Sequence, residues 1–184
     1  VEGTTYLVKN LFVSLALAVL VIATVMSILF RSARMVAISL LPNLVPLIFT
    51  AAVMGYFGIA LKPSTLLVFS IAFGISVDDT IHLLAKYRQE LDLHGWNMRE
   101  AVLLAVRETG VSMMYTSIVL FFGFLMFFAS DFEGTRALGI LVSTTLLVAM
   151  LTNLVLLPSM LLGFERYITA QTFKEPLLEI IDEE

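Results

Sequence analysis

The 184-residue sequence contains no cysteine, and only 14% of its residues are charged. The missing cysteines exclude a disulfide scaffold and a thiolate metal site. Hydrophobic residues make up 59% of the chain, and the mean hydropathy is +0.97. A soluble globule of this size could not hide so much apolar surface, and a disordered chain would be far less hydrophobic. The composition therefore excludes a soluble enzyme and indicates an integral membrane protein.

Basic residues are also scarce, since the formal net charge is −4 and the pI is about 5.2. Nucleic-acid binding needs a basic surface that neutralises phosphates, so nucleic acid is excluded as a partner. The two histidines, His82 and His94, do not form the His-Glu-x-x-His pattern of a metalloprotease. No residue pattern points to a metal or a cofactor. The partner that this composition implies is membrane lipid.

Five apolar runs are long enough to cross a hydrocarbon core of roughly 30 Å. Pro42 and Pro46 predict a kink in the second run, and Pro63 is a favoured first residue of a helix for the third. The sequence thus predicts an all-α polytopic membrane helix bundle with five transmembrane helices, over residues 11–30, 35–61, 63–87, 111–128 and 137–162.

A sixth, shorter helix is predicted between the third and fourth runs. Asn97 followed by Glu100 resembles a capping box, and Gly110 suits the residue after a helix end. Residues 98–109 are therefore expected to form an interfacial helix on the inner membrane surface.

The distribution of lysine and arginine predicts an orientation with the N-terminus outside and the C-terminus inside. Residues 1–10 would end an extracytoplasmic segment, and 163–184 would form a cytoplasmic tail. Three basic residues then lie outside: Lys9, Lys62 and Arg136. Eight lie inside: Arg31, Arg34, Lys86, Arg88, Arg99, Arg107, Arg166 and Lys174.

The third run contains two adjacent aspartates, Asp78 and Asp79, followed by His82. At about 1.5 Å per residue, Asp78 lies about 22 Å from Pro63 and about 12 Å from Lys86, within the inner half of the membrane. A carboxylate at this depth costs a few kcal/mol on insertion scales, so intramembrane aspartates usually serve a function. Two adjacent carboxylates in a low dielectric are not both expected to be ionised.

Helical spacing sets the neighbours of these aspartates. Asp78 shares a polar stripe with residues four positions apart, namely Ser70, Gly74, His82 and Lys86. Gly74 would let another helix or a water molecule approach Asp78 closely. The candidate proton relay therefore consists of Asp78, Asp79 and His82, with Gly74 beside it. Further relay hydroxyls are expected at Ser76, Thr116 and Ser117.

The aspartates admit two other interpretations. They could merely pair with hydroxyls of the fourth and fifth spans, because no lysine or arginine lies at matching depth in the other spans. An intramembrane aspartyl protease would need its carboxylates on two facing helices, whereas Asp78 and Asp79 are consecutive. The spans also supply no serine paired with a histidine on another span. An enzyme is therefore not expected.

The stretch from Gly74 to Asp79 resembles the Gly-x-x-x-Asp-Asp motif of the RND superfamily. The similarity is to the branch with MMPL-type exporters, Patched, Dispatched and the sterol-sensing proteins. It extends over residues 11–162, with matching patterns at Lys86-Tyr87-Arg88, Glu108-Thr109-Gly110, Thr116-Ser117, Phe122-Gly123-Phe124 and Leu156-Leu157-Pro158-Ser159-Met160-Leu161.

This resemblance implies a proton-motive-force-driven exporter of lipids or other hydrophobic molecules, in which the motif aspartates carry the protons. It also implies a bacterial cytoplasmic (inner) membrane. The chain begins with Val1 and resembles the last five spans of one half of such a transporter, the C-terminal half by expectation. The expected partners are the missing other half, its extracytoplasmic domains, a hydrophobic substrate, and a second copy or a periplasmic protein.

Two alternatives belong to other classes. The same block of five spans occurs in sterol- or lipid-sensing modules that do not transport. The chain could equally be an accessory membrane subunit that keeps the motif without using it. The paired aspartates favour transport, because a sensor has no evident need for an intramembrane proton site.

Overall fold

The computed structural model describes residues 2–30, 33–95 and 97–163, and the regular elements in these ranges are all helical. The predicted tail over 163–184 lies outside the described residues except for Gly163. The α-helices, in chain order, are α1 (Glu2–Phe30), α2 (Ala33–Tyr56), α3 (Pro63–Leu93), α4 (Met98–Leu125), α5 (Glu133–Leu151) and α6 (Leu157–Gly163). A 3-10 turn follows α4 at Met126–Ala129, and a π-helical segment joins α5 to α6 at Thr152–Leu156.

Four helical stretches in the described ranges are long and apolar enough to cross a membrane. Within α1, a shorter apolar stretch covers Ala16–Ile28. The predicted all-α membrane bundle is confirmed, and the chain is an integral, multi-pass membrane protein. The four long stretches are Met35–Tyr56, Pro63–Leu93, Met98–Ala129 and Glu133–Gly163.

The structure differs from the prediction between residues 98 and 128, where one continuous helix replaces an interfacial helix and a separate span. Helix α4 does begin at the predicted cap, because the Asn97 side chain accepts a hydrogen bond from the Glu100 backbone N–H. Gly110 does not end a helix but lies buried inside α4. A Cβ atom at Gly110 would lie 3.1 Å from the Leu154 side chain, so this glycine serves close helix packing.

Helix α3 lies at the centre of the bundle and contacts α1, α2, α4, α5 and the π segment. Its first half packs into an apolar cluster around Phe73 and Val77, with residues of α2 and α5. Its second half packs into another cluster around Leu84 and Tyr87, with residues of α4 and α6. Ser76, Asp79 and Thr80 lie between the two clusters and are buried. The centre of α3 is therefore a polar layer between two apolar ones.

Gly139 of α5 and Gly123 of α4 differ in how closely neighbouring residues pack against them. A Cβ atom at Gly139 of α5 would lie 2.8 Å from the backbone oxygen of Phe124, whereas at Gly123 of α4 none of the described residues lies within 4 Å. We expect Gly139→Ala to lower stability by about 1–3 kcal/mol, because backbone atoms must move. Gly123→Ala is the matched control, and its higher helix propensity makes it neutral or stabilising by up to about 1 kcal/mol. Thermal unfolding in detergent compares the two variants, and equal melting temperatures would contradict the packing role of Gly139.

Candidate functional site

The two adjacent aspartates of α3 have different environments. The Asp78 side chain is 72% exposed, and its Oδ1 lies 3.5 Å from Nε2 of His82, one turn further along the helix. Asp79 points about 100° around the helix from Asp78 and is only 9% exposed. The site thus combines an accessible aspartate–histidine pair with a neighbouring carboxylate that is largely shielded.

A cleft of about 520 Å³ opens between α3 and α4 and brings these three side chains together. Its α4 wall adds one carboxylate, three side chains with hydroxyl groups and two apolar side chains. The lining residues of α4 are Glu108, Thr109, Ser112, Met113, Thr116 and Leu120. The cleft therefore offers titratable and hydroxyl groups along one continuous surface.

A charged cluster joins α3 to α4 at the cleft wall. Lys86 Nζ lies 2.7 Å from a carboxylate oxygen of Glu90 on its own helix and 2.7 Å from one of Glu108 on α4. Glu90 is nearly inaccessible, and its other oxygen lies 3.3 Å from Nδ1 of His94. Because Lys86 bridges both carboxylates, it neutralises the shielded charge of Glu90 and holds Glu108 beside the cleft.

The polar stripe predicted on α3 forms an open face of the described chain except at Lys86, whose side chain is only 21% exposed. Ser70, Gly74, Asp78 and His82 are all exposed. Gly74 lines both the cleft and a second groove between α1 and α3, and none of the described atoms lies within 4 Å of the position of a Cβ atom there. In the described part of the chain, no other helix packs closely against Gly74.

The structure places the three predicted relay hydroxyls in three different environments. Thr116 lines the cleft, and its hydroxyl lies within 3.0 Å of the Met113 carbonyl oxygen, to which it donates. Ser117 is buried and is not among the residues that line the cleft. Ser76 lies on the side of α3 away from Asp78, where its hydroxyl donates to Asn43. Of the three hydroxyls, only that of Thr116 is brought to the cleft with the aspartates.

One predicted relay residue, Ser76, and three residues outside the predicted site form a buried polar network behind the aspartates. It contains Asn43 of α2, Ser76 and Thr80 of α3, and Asn153 of the π segment, all at most 1% exposed. The sequence carried a signal for the two asparagines, since amides inside apolar spans are unfavourable unless they are paired. Glu108 was missed as a site residue because its approach to Lys86 and to the cleft depends on how α3 and α4 pack.

The described residues of the site include carboxylate and imidazole side chains but no cluster that could hold a metal ion. The described part of the chain has no group of three or more histidine, aspartate or glutamate side chains that could hold a metal ion. The Asp78–His82 pair is accessible to water. The shielded carboxylate of Asp79 lies one residue from this pair in the sequence.

Comparison with known proteins identifies the relatives of this chain. The model of the MMPL family matches residues 4–172, which is most of the sequence. The chain belongs to the MMPL family. The resemblance to RND-type transporters is thereby confirmed.

The relatives of this MMPL chain include named transporters. It is 29% identical over 169 residues to the hopanoid transporter HpnN of Burkholderia multivorans. It is 30% identical over 148 residues to the multidrug resistance protein MdtC of Pectobacterium carotovorum. A membrane protein of Methanocaldococcus jannaschii is 31% identical to it over 147 residues. No solved structure gives a significant match.

The MMPL chain corresponds to only part of each relative. The matches cover 89%, 79% and 80% of the chain in the order above. They cover 19% of the hopanoid transporter, 14% of the multidrug resistance protein and 38% of the archaeal protein. The chain therefore spans less than two fifths of the length of each of these relatives.

Proposed function

We propose that this MMPL chain is the proton-coupling membrane block of an exporter of lipids or other hydrophobic molecules, driven by the proton motive force. Asp78, Asp79 and His82 act as its proton relay. The observation that carries the proposal is the pairing of an accessible aspartate with a shielded one on a helix that can span a membrane, both at the same cleft. Intramembrane ionisable groups of this kind mark proton relays in pumps and transporters.

The cleft provides a route to the shielded aspartate. Water can reach Asp78 and His82 on the open face of α3, and the α4 wall supplies Ser112, Thr116 and Glu108. A proton entering at His82 or Asp78 can pass to Asp79 over one residue of helix. Protonation then removes a charge from the inner polar layer of the bundle, which favours a different packing of α3 against its neighbours.

The open face of α3 must be covered by protein or water in a membrane. A charged aspartate and a histidine facing lipid would carry a large free-energy cost, and snorkelling cannot relieve it in the middle of a span. We infer that the other half of the transporter, with its extracytoplasmic domains, covers this face and encloses the water that supplies protons. A second copy of the chain and a periplasmic protein are the other candidates.

The driving force is sufficient for such a switch. Moving one proton across the membrane releases about 2.3 kcal/mol per 100 mV, and a pH gradient adds to this. A few kcal/mol is the size of the free-energy difference between two packed conformations of a protein. The energy released per proton can therefore change which packing of α3 is populated.

The proposed location is the bacterial cytoplasmic membrane, with the N-terminus outside and the C-terminus inside. We expect a single cysteine at Ser130, between α4 and α5, to react with a membrane-impermeant maleimide in intact cells. A cysteine at Arg99, at the start of α4, should react only after permeabilisation. The 184-residue sequence contains no cysteine, so it adds no background labelling to that of the introduced cysteine. The reverse pattern would contradict this orientation.

The proposed transport is tested with the full-length protein in proteoliposomes. The first substrate tried is a radiolabelled hopanoid, because one relative is a hopanoid transporter, and the second is a labelled bacterial polar lipid extract. We expect transfer to acceptor vesicles to require an imposed pH gradient and to stop when a protonophore is added. A sodium ionophore should have no effect. Transfer at an undiminished rate after the proton gradient collapses would contradict the proposal.

A second candidate is a lipid-sensing module without transport, and one observation favours it. A largely apolar groove of about 310 Å³ lies between α1 and α3 and is lined by Ala18, Ile22, Phe69 and Phe73, among others. Such a groove can hold an acyl chain or a sterol ring system. This candidate is supported if the lipid binds to the protein but neither lipid transfer nor proton movement is detected.

A further inference from the structure

The buried network behind the aspartates joins three helices through a small set of hydrogen bonds. Asn43 Oδ1 of α2 accepts from the Ser76 hydroxyl at 2.6 Å and lies 3.0 Å from the Thr80 hydroxyl. Asn153 Oδ1 of the π segment also lies 3.0 Å from the Thr80 hydroxyl, and Asn153 Nδ2 donates to the Ser76 carbonyl oxygen at 2.9 Å. Ser76 and Thr80 are therefore held from both α2 and the π segment that follows α5.

Counting protons shows that the Thr80 hydroxyl has three possible acceptors for one proton. A carbonyl oxygen only accepts, so Asn153 must direct its NH₂ group to Ser76 and its oxygen to Thr80. The single hydroxyl proton of Thr80 can go to Asn43, to Asn153, or to the Ser76 carbonyl oxygen of its own helix, which also lies 3.0 Å away. In the second case every amide and hydroxyl of the network has a partner, because Asn43 Nδ2 donates to the Ser39 carbonyl oxygen at 2.7 Å. The first arrangement ties α3 to α2, the second ties it to the π segment, and the third keeps the bond within α3.

The network surrounds the turn of α3 that carries the carboxylates. Ser76 and Thr80 are one turn apart, and Asp78 and Asp79 lie between them in sequence. Asp79 projects from α3 between the cleft and the network, because it is one residue from Thr80 and three from Ser76. A change of charge at Asp79 therefore acts on a helical turn whose other side is fixed by Asn43 and Asn153.

Both helices that hold this turn have irregular backbones there. Asn43 lies between Pro42 and Pro46 in α2, and proline has no N–H to donate to the preceding turn. Asn153 lies in the π segment, and Pro158 follows shortly after it. Single-turn π segments occur frequently at functional sites, and breaks in the helical hydrogen bonding are where helices bend. The contacts to α3 are thus made at the two points where its neighbours adjust most easily.

We propose that Asn43, Thr80 and Asn153 form a polar clamp on the carboxylate turn of α3, and that this clamp passes the charge state of Asp78 and Asp79 to α2 and α5. The inference rests on the proposed proton-coupled transport and deepens it. The three clamp residues are positioning residues, because they do not line the cleft. The Thr80 hydroxyl can donate to Asn43 of α2 or to Asn153 of the π segment. The charge state of the carboxylates shifts the balance between these two hydrogen bonds.

The test uses the full-length protein in proteoliposomes with two readouts. One is protonophore-sensitive lipid transfer. The other is the pH of half-maximal modification of Asp79 by dicyclohexylcarbodiimide, which reacts with protonated carboxyl groups in apolar surroundings and is located by mass spectrometry. The titratable side chains that share the cleft are Asp78 and His82 on α3 and Glu108 on α4, with Lys86 bound to Glu108. Among the described lining residues, α1, α2 and α5 contribute none.

The variants separate the hydroxyl of Thr80 from its shape. Thr80→Val keeps the volume and removes the hydroxyl, Thr80→Ser restores the hydroxyl, and Asn153→Leu removes the second amide. We expect Thr80→Val and Asn153→Leu to slow transfer about tenfold and to move the modification midpoint by about half a pH unit or more. Both effects are expected because the two side chains belong to one hydrogen-bond network, whose members depend on one another. Thr80→Ser should recover both values. Thr145→Val is the matched control, because the buried Thr145 hydroxyl bonds Thr50 of α2.

The outcomes distinguish the clamp from the proposed function. If Thr80→Val and Asn153→Leu keep the wild-type midpoint, the clamp does not sense the carboxylates and the inference is wrong, whether or not transfer slows. The same holds if Thr145→Val moves the midpoint equally. If instead the variant without both aspartates transports normally, the proposed function itself is wrong. Thr80→Val, as a near-isosteric change, keeps the test decisive if Asn153→Leu does not fold.

Discussion

Replacing Asp78 and Asp79 together by asparagine should abolish proton-driven transport while leaving the protein folded. Asparagine keeps the size of aspartate and one acceptor oxygen, but it has no carboxyl group that could take up a proton. We expect transfer to fall by about 100-fold or more, because intramembrane relays depend on ionisable groups. The measurement is protonophore-sensitive lipid transfer by the full-length protein in proteoliposomes, with size-exclusion elution and melting temperature as checks of folding.

The single variants should differ, because the two carboxylates have different environments. Asp79 is shielded and borders the buried network, whereas Asp78 is exposed and lies beside His82. We therefore expect Asp79→Asn to remove more transport than Asp78→Asn, since water or His82 can stand in for an exposed proton carrier. Asp92→Asn is the matched control, because Asp92 is an exposed aspartate on the same helix outside the cleft. Normal transport by the double variant would contradict the relay.

The position of the aspartates could be predicted from sequence because it depends on one helix alone. Spacing within α3 places Gly74, Asp78 and His82 on one side, and the structure shows all three exposed on that side. The same spacing places Ser76 about 200° from Asp78, on the opposite side of the helix. What spacing cannot supply is the identity of the neighbour on each side. Only the packed bundle shows that Ser76 meets Asn43 rather than the cleft.

The residues that sequence reasoning missed depend on contacts between distant segments. Asn43 and Asn153 are 110 positions apart in the chain, yet both reach Thr80. Glu108 enters the cleft because α4 continues without a break through Gly110. A glycine after a helical pattern suggests an ending, but here the neighbouring Leu154 occupies the space that a side chain would need. Local helix signals cannot distinguish these two uses of glycine.

Gly74 permits the sharpest test of what covers the aspartates. No described atom lies within 4 Å of the position of a Cβ atom at Gly74, and leucine favours helix more than glycine by several tenths of a kcal/mol. Gly74→Leu should therefore leave the melting temperature of the protein unchanged or slightly raised. Its side chain would nevertheless project beside Asp78 into the cleft and into the groove between α1 and α3.

If a partner helix or a column of water must approach Asp78 at this glycine, a leucine there blocks it. We expect Gly74→Leu to reduce proton-driven transfer by about 100-fold, comparable to loss of the carboxylates themselves. Gly123→Leu is the matched control, because Gly123 is equally open but lies on α4 outside the cleft.

Normal transfer by Gly74→Leu would show that nothing approaches this face during transport. The covering of α3 by another half of the transporter would then be wrong, even if the aspartates were still required. Loss of transfer with unchanged folding would instead indicate that the open face of α3 is where the rest of the transporter, or its water, meets the relay.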